Sequence, residues 1–137
     1  MNIAVIGTGY VGLVSGTCFA EKGNNVICVD IDEKKVTQLK AGQIPIYEPG
    51  LETIFTKNIE AGRLSFTTNL AEGIQNAEII FLALPTPSDE DGSADLSYVS
   101  KCAEAISPLI TDYKIIVNKS TVPVGTAEMV SNILSEK

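Results

Sequence analysis

The sequence predicts an α/β domain in which a doubly wound parallel sheet carries helices on both faces. Three observations favour this class. Short apolar strands alternate with helical segments along the chain. The run EIIFLAL at residues 78–84 is apolar almost throughout, as in a strand buried on both faces of a parallel sheet. A glycine-rich turn, GTGYVG, separates the first predicted strand from the first predicted helix. With right-handed crossovers, these strands are expected in the order 3-2-1-4-5.

Turn and capping residues divide the chain into these elements. Gly23, Gly42 and Gly62 each follow a predicted helix, since glycine closes a helix without a Cβ penalty. Asp32 opens the second helix, because an aspartate there accepts hydrogen bonds from the first helical N–H groups. The predicted strands are residues 3–6, 25–30, 64–67, 78–84 and 114–118. The predicted helices are residues 10–22, 32–40, 51–61, 70–75, 96–110 and a last one that starts near residue 125 and continues to residue 137.

Two loops rich in turn residues interrupt this alternation. QIPIYEPG at residues 43–50 carries two prolines, and its residues alone indicate a structural role at the start of the next helix. PTPSDEDGSAD at residues 85–95 is a polar loop that follows the most apolar strand. The length of 137 residues is enough for one domain of ordinary size but not for two independent cores, so we predict one domain over residues 1–137.

Length and charge limit the function classes. The chain has 137 residues, 45% of them hydrophobic and 20% charged, which is the balance of one globular domain. Its net charge is −7 and its largest basic cluster is the pair Lys34–Lys35, so nucleic acid is not an expected partner. The longest strongly apolar run, residues 79–84, is far shorter than the roughly 20 residues of a membrane span. We therefore expect no membrane contact. The first residues show no signal-peptide pattern, and together with the cysteine usage this indicates a cytoplasmic location.

The cysteines and the missing histidines narrow the chemistry further. Cys18, Cys28 and Cys102 fit neither a disulfide framework nor a zinc site. Each lies in a predicted apolar element, so we expect three reduced core thiols, as in cytosolic proteins. The segment has no histidine, which excludes a His–Asp proton relay and a His-containing zinc site within it. No metal site is predicted.

The turn GTGYVG has the spacing of a dinucleotide-binding loop and lies directly after a strand. Gly7 permits the tight turn, Gly9 lets the backbone approach a pyrophosphate, and Gly12 lets the helix lie close to the strand. The N–H groups of Tyr10, Val11 and Gly12 are expected to point at the phosphates, where the helix dipole also favours negative charge. A simple glycine-rich turn is the alternative. In this context the motif predicts a Rossmann fold with a bound dinucleotide.

Charged residues near the end of the second strand indicate which dinucleotide cofactor is bound. Asp30 ends that strand, where a carboxylate accepts hydrogen bonds from the adenosine ribose. Since a carboxylate repels a 2′-phosphate, NAD is favoured over NADP. Helix capping is the alternative role, but Asp32 is available for it. Lys35 is either a cofactor contact reaching back to the ribose or phosphate, or a solvated lysine beside Lys34.

Hydroxyl groups follow the fourth and fifth strands, at the switch point where a ligand crevice opens in this topology. Thr86 is flanked by Pro85 and Pro87, which would fix its hydroxyl toward a cofactor or simply form a rigid turn. Thr121, in the segment STVP, faces the same crevice and either contacts the ligand or caps the next helix. The sequence leaves both alternatives open.

Taken together, the motifs resemble the N-terminal domain of the UDP-glucose 6-dehydrogenases, within the UDP-glucose/GDP-mannose dehydrogenase family. Nearly the whole chain takes part, in order. The matching segments are NIAVIGTGYVGLVSGTCFAEKGNNVICVDID, IPIYEPGLE, AEIIFLALPTPSDEDGSADLSYV and KIIVNKSTVPVGTAE. The segments YEPGL and STVPVGTAE are most similar to those of the family branch that acts on UDP-glucose.

The resemblance implies an enzyme that oxidises the C6 alcohol of UDP-glucose to the carboxylate of UDP-glucuronate with two NAD⁺. An aldehyde-level intermediate is held on a cysteine. The family's cofactor contacts correspond to Val11, Asp30, Lys35, Thr86 and Thr121. Thr121 also helps to position a catalytic water, which makes it an auxiliary catalytic residue by analogy.

By the same resemblance, the nucleophilic cysteine and the residues that hold most of the substrate lie beyond this segment, which is expected to be truncated from a longer, homo-oligomeric enzyme. The segment alone should hold the cofactor site without activity. The alternatives are a dehydrogenase for GDP-mannose or a UDP-N-acetylhexosamine, and a non-catalytic NAD-binding module.

Overall fold

A five-stranded parallel sheet forms the centre of the computed structural model, which describes residues 1–135. The strands are β1 (Asn2–Ile6), β2 (Asn25–Val29), β3 (Leu64–Thr67), β4 (Ile79–Leu82) and β5 (Ile115–Asn118). They lie in the order β3-β2-β1-β4-β5, and every neighbouring pair is parallel. The predicted fold class and strand order are confirmed.

Helices connect each strand to the next. They are α1 (Tyr10–Glu21), α2 (Glu33–Lys40), α3 (Leu51–Glu60), α4 (Leu70–Ile74), α5 (Ser97–Ile106) and α6 (Thr126–Ser135). A short 3₁₀ turn, Ser107–Leu109, follows α5. The predicted continuation of the last helix through residues 136–137 lies outside the described residues. Within residues 1–135, no helix combines the length and apolar character needed to cross a membrane.

Two hydrophobic clusters cover the two faces of the sheet. In β1, Ile3 and Val5 point to one face while Ala4 and Ile6 point to the other, as alternation along a strand requires. The first face is covered by α1, α2 and α3, and the second by α4, α5 and α6. These four side chains are each at most 6% exposed, so this strand is central to both clusters.

Several elements end earlier than predicted. β4 ends at Leu82 instead of residue 84. Beyond it, the Leu82 carbonyl accepts the N–H groups of both Lys119 and Ser120, so the regular ladder between β4 and β5 stops there. The predicted helix over residues 96–110 ends at Ile106 and continues only as the 3₁₀ turn, in which Pro108 has no N–H to donate.

The cysteines occupy three different environments. Cys28 is fully buried beneath α1, Cys102 is partly buried, and Cys18 is exposed; all three are free thiols. The prediction of a core position for Cys18 is therefore wrong. The buried stripe of α1 runs through Leu13, Thr17 and Ala20 at helical spacing, and Cys18 lies off that stripe. Burial raises the pKa of the Cys28 thiol to about 12 and that of the Cys102 thiol to about 11.

Candidate functional site

A cleft of about 980 Å³ opens at the carboxyl ends of the strands, between β1 and β4. The chain leaves these two strands toward opposite faces of the sheet, so the cleft lies at the topological switch point. All predicted site residues line it except Gly12, which lies behind its wall. The sequence therefore identified the position of the cleft.

The three glycines of the turn occupy two kinds of environment. Gly7 has φ +100, and a Cβ there would overlap the carbonyl oxygen of Ala83 in the neighbouring chain segment. A Cβ on Gly12 would overlap the Gly7 carbonyl oxygen and lie 3.2 Å from the Ala83 Cβ. Gly9 has an ordinary φ of −67, and a Cβ there would meet no atom within 4 Å. Gly7 and Gly12 thus allow close packing, whereas Gly9 borders open space in the cleft.

The amino terminus of α1 opens into that space. Gly9 caps the helix without a side-chain hydrogen bond, and the first turn carries no acidic residue. Tyr10 and Val11, the first two helical residues, are 52% and 48% exposed. Because the first N–H groups of a helix have no partner within the helix and lie at the positive end of its dipole, this position favours an anionic group.

Asp30 lies just past the end of β2, on the cleft wall. Its Oδ2 accepts hydrogen bonds from the Thr8 N–H at 2.9 Å and from the Thr8 hydroxyl at 2.5 Å. Its Oδ1 accepts the Asp32 N–H at 3.0 Å. The Asp32 carboxylate instead caps α2 by accepting the N–H groups of Lys34 and Lys35. The capping role considered for Asp30 therefore belongs to Asp32, as predicted.

The pKa of Asp30 reflects two opposing effects. Partial burial alone would raise the pKa of this carboxyl. The hydrogen bonds from the Thr8 hydroxyl, the Asp32 N–H and the Thr8 N–H, together with the charge of Lys35, lower it below the usual aspartate value. Asp30 is therefore an anion at neutral pH, with its charge facing the cleft.

Lys35 folds back toward Asp30 from the first turns of α2. Its Nζ lies 3.4 Å from the Asp30 Oδ2, and its side chain is 32% exposed. Lys35 therefore lines the cleft beside Asp30, and its role as a cofactor contact stays a prediction.

The far wall of the cleft consists of the segments that follow β4 and β5. Hydrogen bonds from side-chain hydroxyl groups hold these two segments together. The Thr86 hydroxyl donates to the Thr121 carbonyl at 2.9 Å. The Ser120 hydroxyl accepts the Leu84 N–H at 2.8 Å and lies 2.8 Å from the Leu84 carbonyl. Pro85 lies between these contacts on the cleft surface. Thr86 and Thr121 thus meet at the far wall, as their positions after neighbouring strands predict.

Two of the cleft residues that the sequence analysis did not predict as site residues make hydrogen bonds that hold the cleft walls in place. Thr8 is 1% exposed and makes the two hydrogen bonds to Asp30 described above. Its position between Gly7 and Gly9 carries no residue preference in the glycine pattern, so the pattern does not single it out. Ser120 adjoins Thr121 in the segment STVP, but only the three-dimensional pairing of β4 with β5 reveals its contacts.

These features fit a dinucleotide. Open space at Gly9 adjoins a helix end that attracts anions, as a pyrophosphate needs. An anionic Asp30 lies on the same wall, as recognition of a ribose diol needs. Within residues 1–135, no group of three or more His, Cys, Asp or Glu side chains is arranged to hold a metal ion.

Comparison with known proteins gives a consistent assignment. The sequence model of the UDP-glucose/GDP-mannose dehydrogenase family, NAD binding domain, matches residues 1–137. The UDP-glucose 6-dehydrogenase TuaD of Bacillus subtilis (strain 168) is 55% identical over 135 residues, which are 98% of this chain and 29% of that protein. The UDP-glucose 6-dehydrogenase of Pseudomonas aeruginosa is 54% identical over 134 residues, which are 98% of this chain and 30% of that protein. The chain thus spans less than a third of the length of these relatives.

Solved structures share the same architecture. A UDP-glucose dehydrogenase from the hyperthermophilic archaeon Pyrobaculum islandicum has a TM-score of 0.93 at 40% identity, over 98% of this chain and 32% of that chain. The GDP-mannose dehydrogenase of Pseudomonas aeruginosa, solved as a ternary complex, has a TM-score of 0.92 at 32% identity, over 100% of this chain and 33% of that chain. The backbone is therefore common to dehydrogenases that act on different nucleotide-sugars.

Proposed function

Because the chain belongs to the UDP-glucose/GDP-mannose dehydrogenase family and is its NAD-binding domain, we propose that it carries the cofactor site of an enzyme that oxidises UDP-glucose to UDP-glucuronate with two NAD⁺. One observation supports this substrate over its alternatives. Identity is 55% and 54% to two UDP-glucose 6-dehydrogenases but 32% to the GDP-mannose dehydrogenase of similar backbone.

The residues of the cleft divide the work of binding. The N–H groups at the start of α1, at Tyr10 and Val11, which line the cleft, hold the pyrophosphate of the cofactor beside Gly9. Asp30 accepts hydrogen bonds from the adenosine ribose, and its charge disfavours a 2′-phosphate. When bound, NAD⁺ supplies the hydride acceptor for the oxidation of the sugar alcohol.

Lys35 and the far wall complete the cofactor site. Lys35, beside Asp30, is available to the adenosine ribose or a phosphate. Pro85, Thr86 and Thr121 form the wall on the opposite side of the cleft. Because the Thr86 hydroxyl already donates to the Thr121 carbonyl, its oxygen is left to accept a hydrogen bond from the ligand. By the family resemblance, Thr121 also helps to orient a water at the reacting centre.

The chemistry of the sugar is assigned to the part of the enzyme outside residues 1–137. Cys102 lines the cleft, but its pKa is raised to about 11, so it is a protonated thiol and a poor nucleophile at neutral pH. Cys28 is fully buried and Cys18 is absent from the cleft lining. This segment alone therefore binds cofactor without oxidising UDP-glucose.

Ligand-dependent thermal unfolding is expected to separate binding from catalysis. NAD⁺ at 100 times its dissociation constant should stabilise the protein by about 2.7 kcal/mol, since it binds only the folded state. For a domain of this size that is an increase in Tm of roughly several degrees. UDP-glucose, the matched control ligand, should leave the Tm unchanged, and the two ligands together should yield no NADH by absorbance. Production of NADH that depends on UDP-glucose would contradict the assignment of the chemistry to the rest of the enzyme.

Replacement of Asp30 by asparagine is expected to reduce the selectivity for NAD⁺. Asp30→Asn removes the repulsion of a 2′-phosphate and weakens the charge-assisted hydrogen bonds to the ribose, each worth about 1.5–3 kcal/mol. We expect NAD⁺ affinity to fall about tenfold or more in calorimetric titrations, and the preference over NADP⁺ to shrink. Asp32→Asn removes the same charge two residues away while keeping a good helix cap, so it should bind like the wild type. If Asp30→Asn bound both cofactors with unchanged affinity, the proposed role of Asp30 in binding the adenosine ribose would be refuted.

A further inference from the structure

Thr8 is a buried polar residue in the loop that carries the cofactor-binding glycines. It lies between Gly7 and Gly9 and is 1% exposed. A buried hydroxyl needs a hydrogen-bond partner, and the partner of this one is the carboxylate of Asp30, 22 residues away in sequence. The glycine loop after β1 and the end of β2 are thus joined through one side-chain pair.

The geometry of this pair fixes the carboxylate in place. The Thr8 N–H and hydroxyl both donate to the Asp30 Oδ2, while the Asp32 N–H donates to Oδ1. With donors on both oxygens, rotation of the carboxylate would break at least one hydrogen bond. Lys35 is 3.4 Å from Oδ2, at the edge of hydrogen-bonding distance, and its side chain is partly exposed. Thr8 is therefore the main side-chain anchor of Asp30.

We propose that Thr8 is a positioning residue that holds the Asp30 carboxylate in the orientation that accepts a ribose diol and excludes a 2′-phosphate. The proposal rests on the proposed function of Asp30. Without the hydroxyl, the carboxylate keeps its charge and its two backbone N–H donors but loses the shortest of its hydrogen bonds, so it turns away from a 2′-phosphate more readily. Selectivity for NAD⁺ over NADP⁺ thus depends on a buried side chain that holds Asp30 in place.

The orientation effect predicts a specific pattern among variants. Thr8→Val keeps the shape of the side chain and removes the hydroxyl, and Thr8→Ser keeps the hydroxyl and removes a methyl group. We expect Thr8→Val to lower NAD⁺ affinity about fivefold and to narrow the NAD⁺/NADP⁺ affinity ratio by a similar factor. Thr8→Ser should retain most of the wild-type affinity and selectivity.

A double-mutant cycle with Asp30→Asn tests whether Thr8 acts through Asp30. Calorimetric titration of NAD⁺ and NADP⁺ into the wild type, Thr8→Val, Asp30→Asn and the double variant gives the four affinities needed. If Thr8 acts by orienting the carboxylate, the double variant should bind NAD⁺ no more weakly than Asp30→Asn alone. If the fold-losses of NAD⁺ affinity in the two single variants multiplied in the double variant, the proposal would be overturned. Such independence indicates a merely structural role of Thr8, which does not depend on the charge of Asp30.

Two controls keep the outcomes distinct. Circular dichroism and Tm confirm that each variant is folded; if Thr8→Val does not fold, Thr8→Ala removes the same hydroxyl with a smaller side chain and takes its place in the cycle. Wild-type protein that fails to bind NAD⁺ would overturn the proposed function and this inference with it. NAD⁺ binding by the wild type with equal affinity in the hydroxyl-free variant would overturn the role of Thr8 alone.

Discussion

A Gly9→Val variant is expected to lose NAD⁺ binding, by about 100-fold or more, while the protein stays folded. The branched side chain would occupy the open space in front of the amino terminus of α1, where a Cβ meets no atom within 4 Å. A pyrophosphate excluded from that space loses several charge-assisted hydrogen bonds to N–H groups, each worth about 1.5–3 kcal/mol. Isothermal titration with NAD⁺ measures the loss.

The fold should tolerate this change because the backbone of Gly9 is ordinary. Its φ is −67, a value that any L-residue adopts, so the substitution introduces no backbone strain. The poorer helix cap costs about 1 kcal/mol, which lowers Tm by several degrees without unfolding the domain. Normal NAD⁺ affinity in a folded Gly9→Val protein would refute the assignment of the pyrophosphate to this helix end.

A Gly12→Ala variant is expected to show the opposite behaviour, with a large loss of stability caused by a single methyl group. The added Cβ would overlap the Gly7 carbonyl oxygen and press on Ala83, so β1, its following turn and α1 would all have to move. We expect the free energy of unfolding to fall by about 3 kcal/mol or more, at the upper end for overpacking. Urea unfolding followed by circular dichroism measures it.

Gly9→Ala is the matched control for this second variant. It adds the same methyl group three residues earlier, in open space, and should change the free energy of unfolding by about 1 kcal/mol or less. Equal stability of Gly12→Ala and Gly9→Ala would contradict the packing role of Gly12. Together the variants separate a glycine needed by the ligand from a glycine needed by the fold.

The arrangement of the sheet was predictable because its strands are strongly apolar runs, and a small number of physical rules determine how such strands are ordered. Apolar runs such as residues 79–82 require burial on both faces, and right-handed crossovers then limit the strand order. The position of the cleft follows from that order. Asp30 and Thr86 could therefore be placed near it from their positions at strand ends alone.

Features that depend on side-chain packing across the fold were not predictable. Asn58 lies within α3, yet it is fully buried, donates to Glu21 and accepts the Arg63 Nε–H. Its sequence neighbours give no sign of those partners, which come from α1 and from the turn that precedes β3. The exposure of Cys18 likewise depends on which side of α1 meets the sheet. In a helix as apolar as α1, the residue types do not distinguish the two sides clearly.

The Ser120 hydroxyl, which joins the end of β4 to the end of β5, also bears on the entropy of binding. Ordering a flexible loop residue on ligand binding costs about 1–2 kcal/mol in backbone entropy. Because this hydroxyl already holds the two segments together, the far wall of the cleft is preorganised, and that cost is met when the chain folds. The contact therefore acts as a non-covalent crosslink that lowers the entropic cost of cofactor binding.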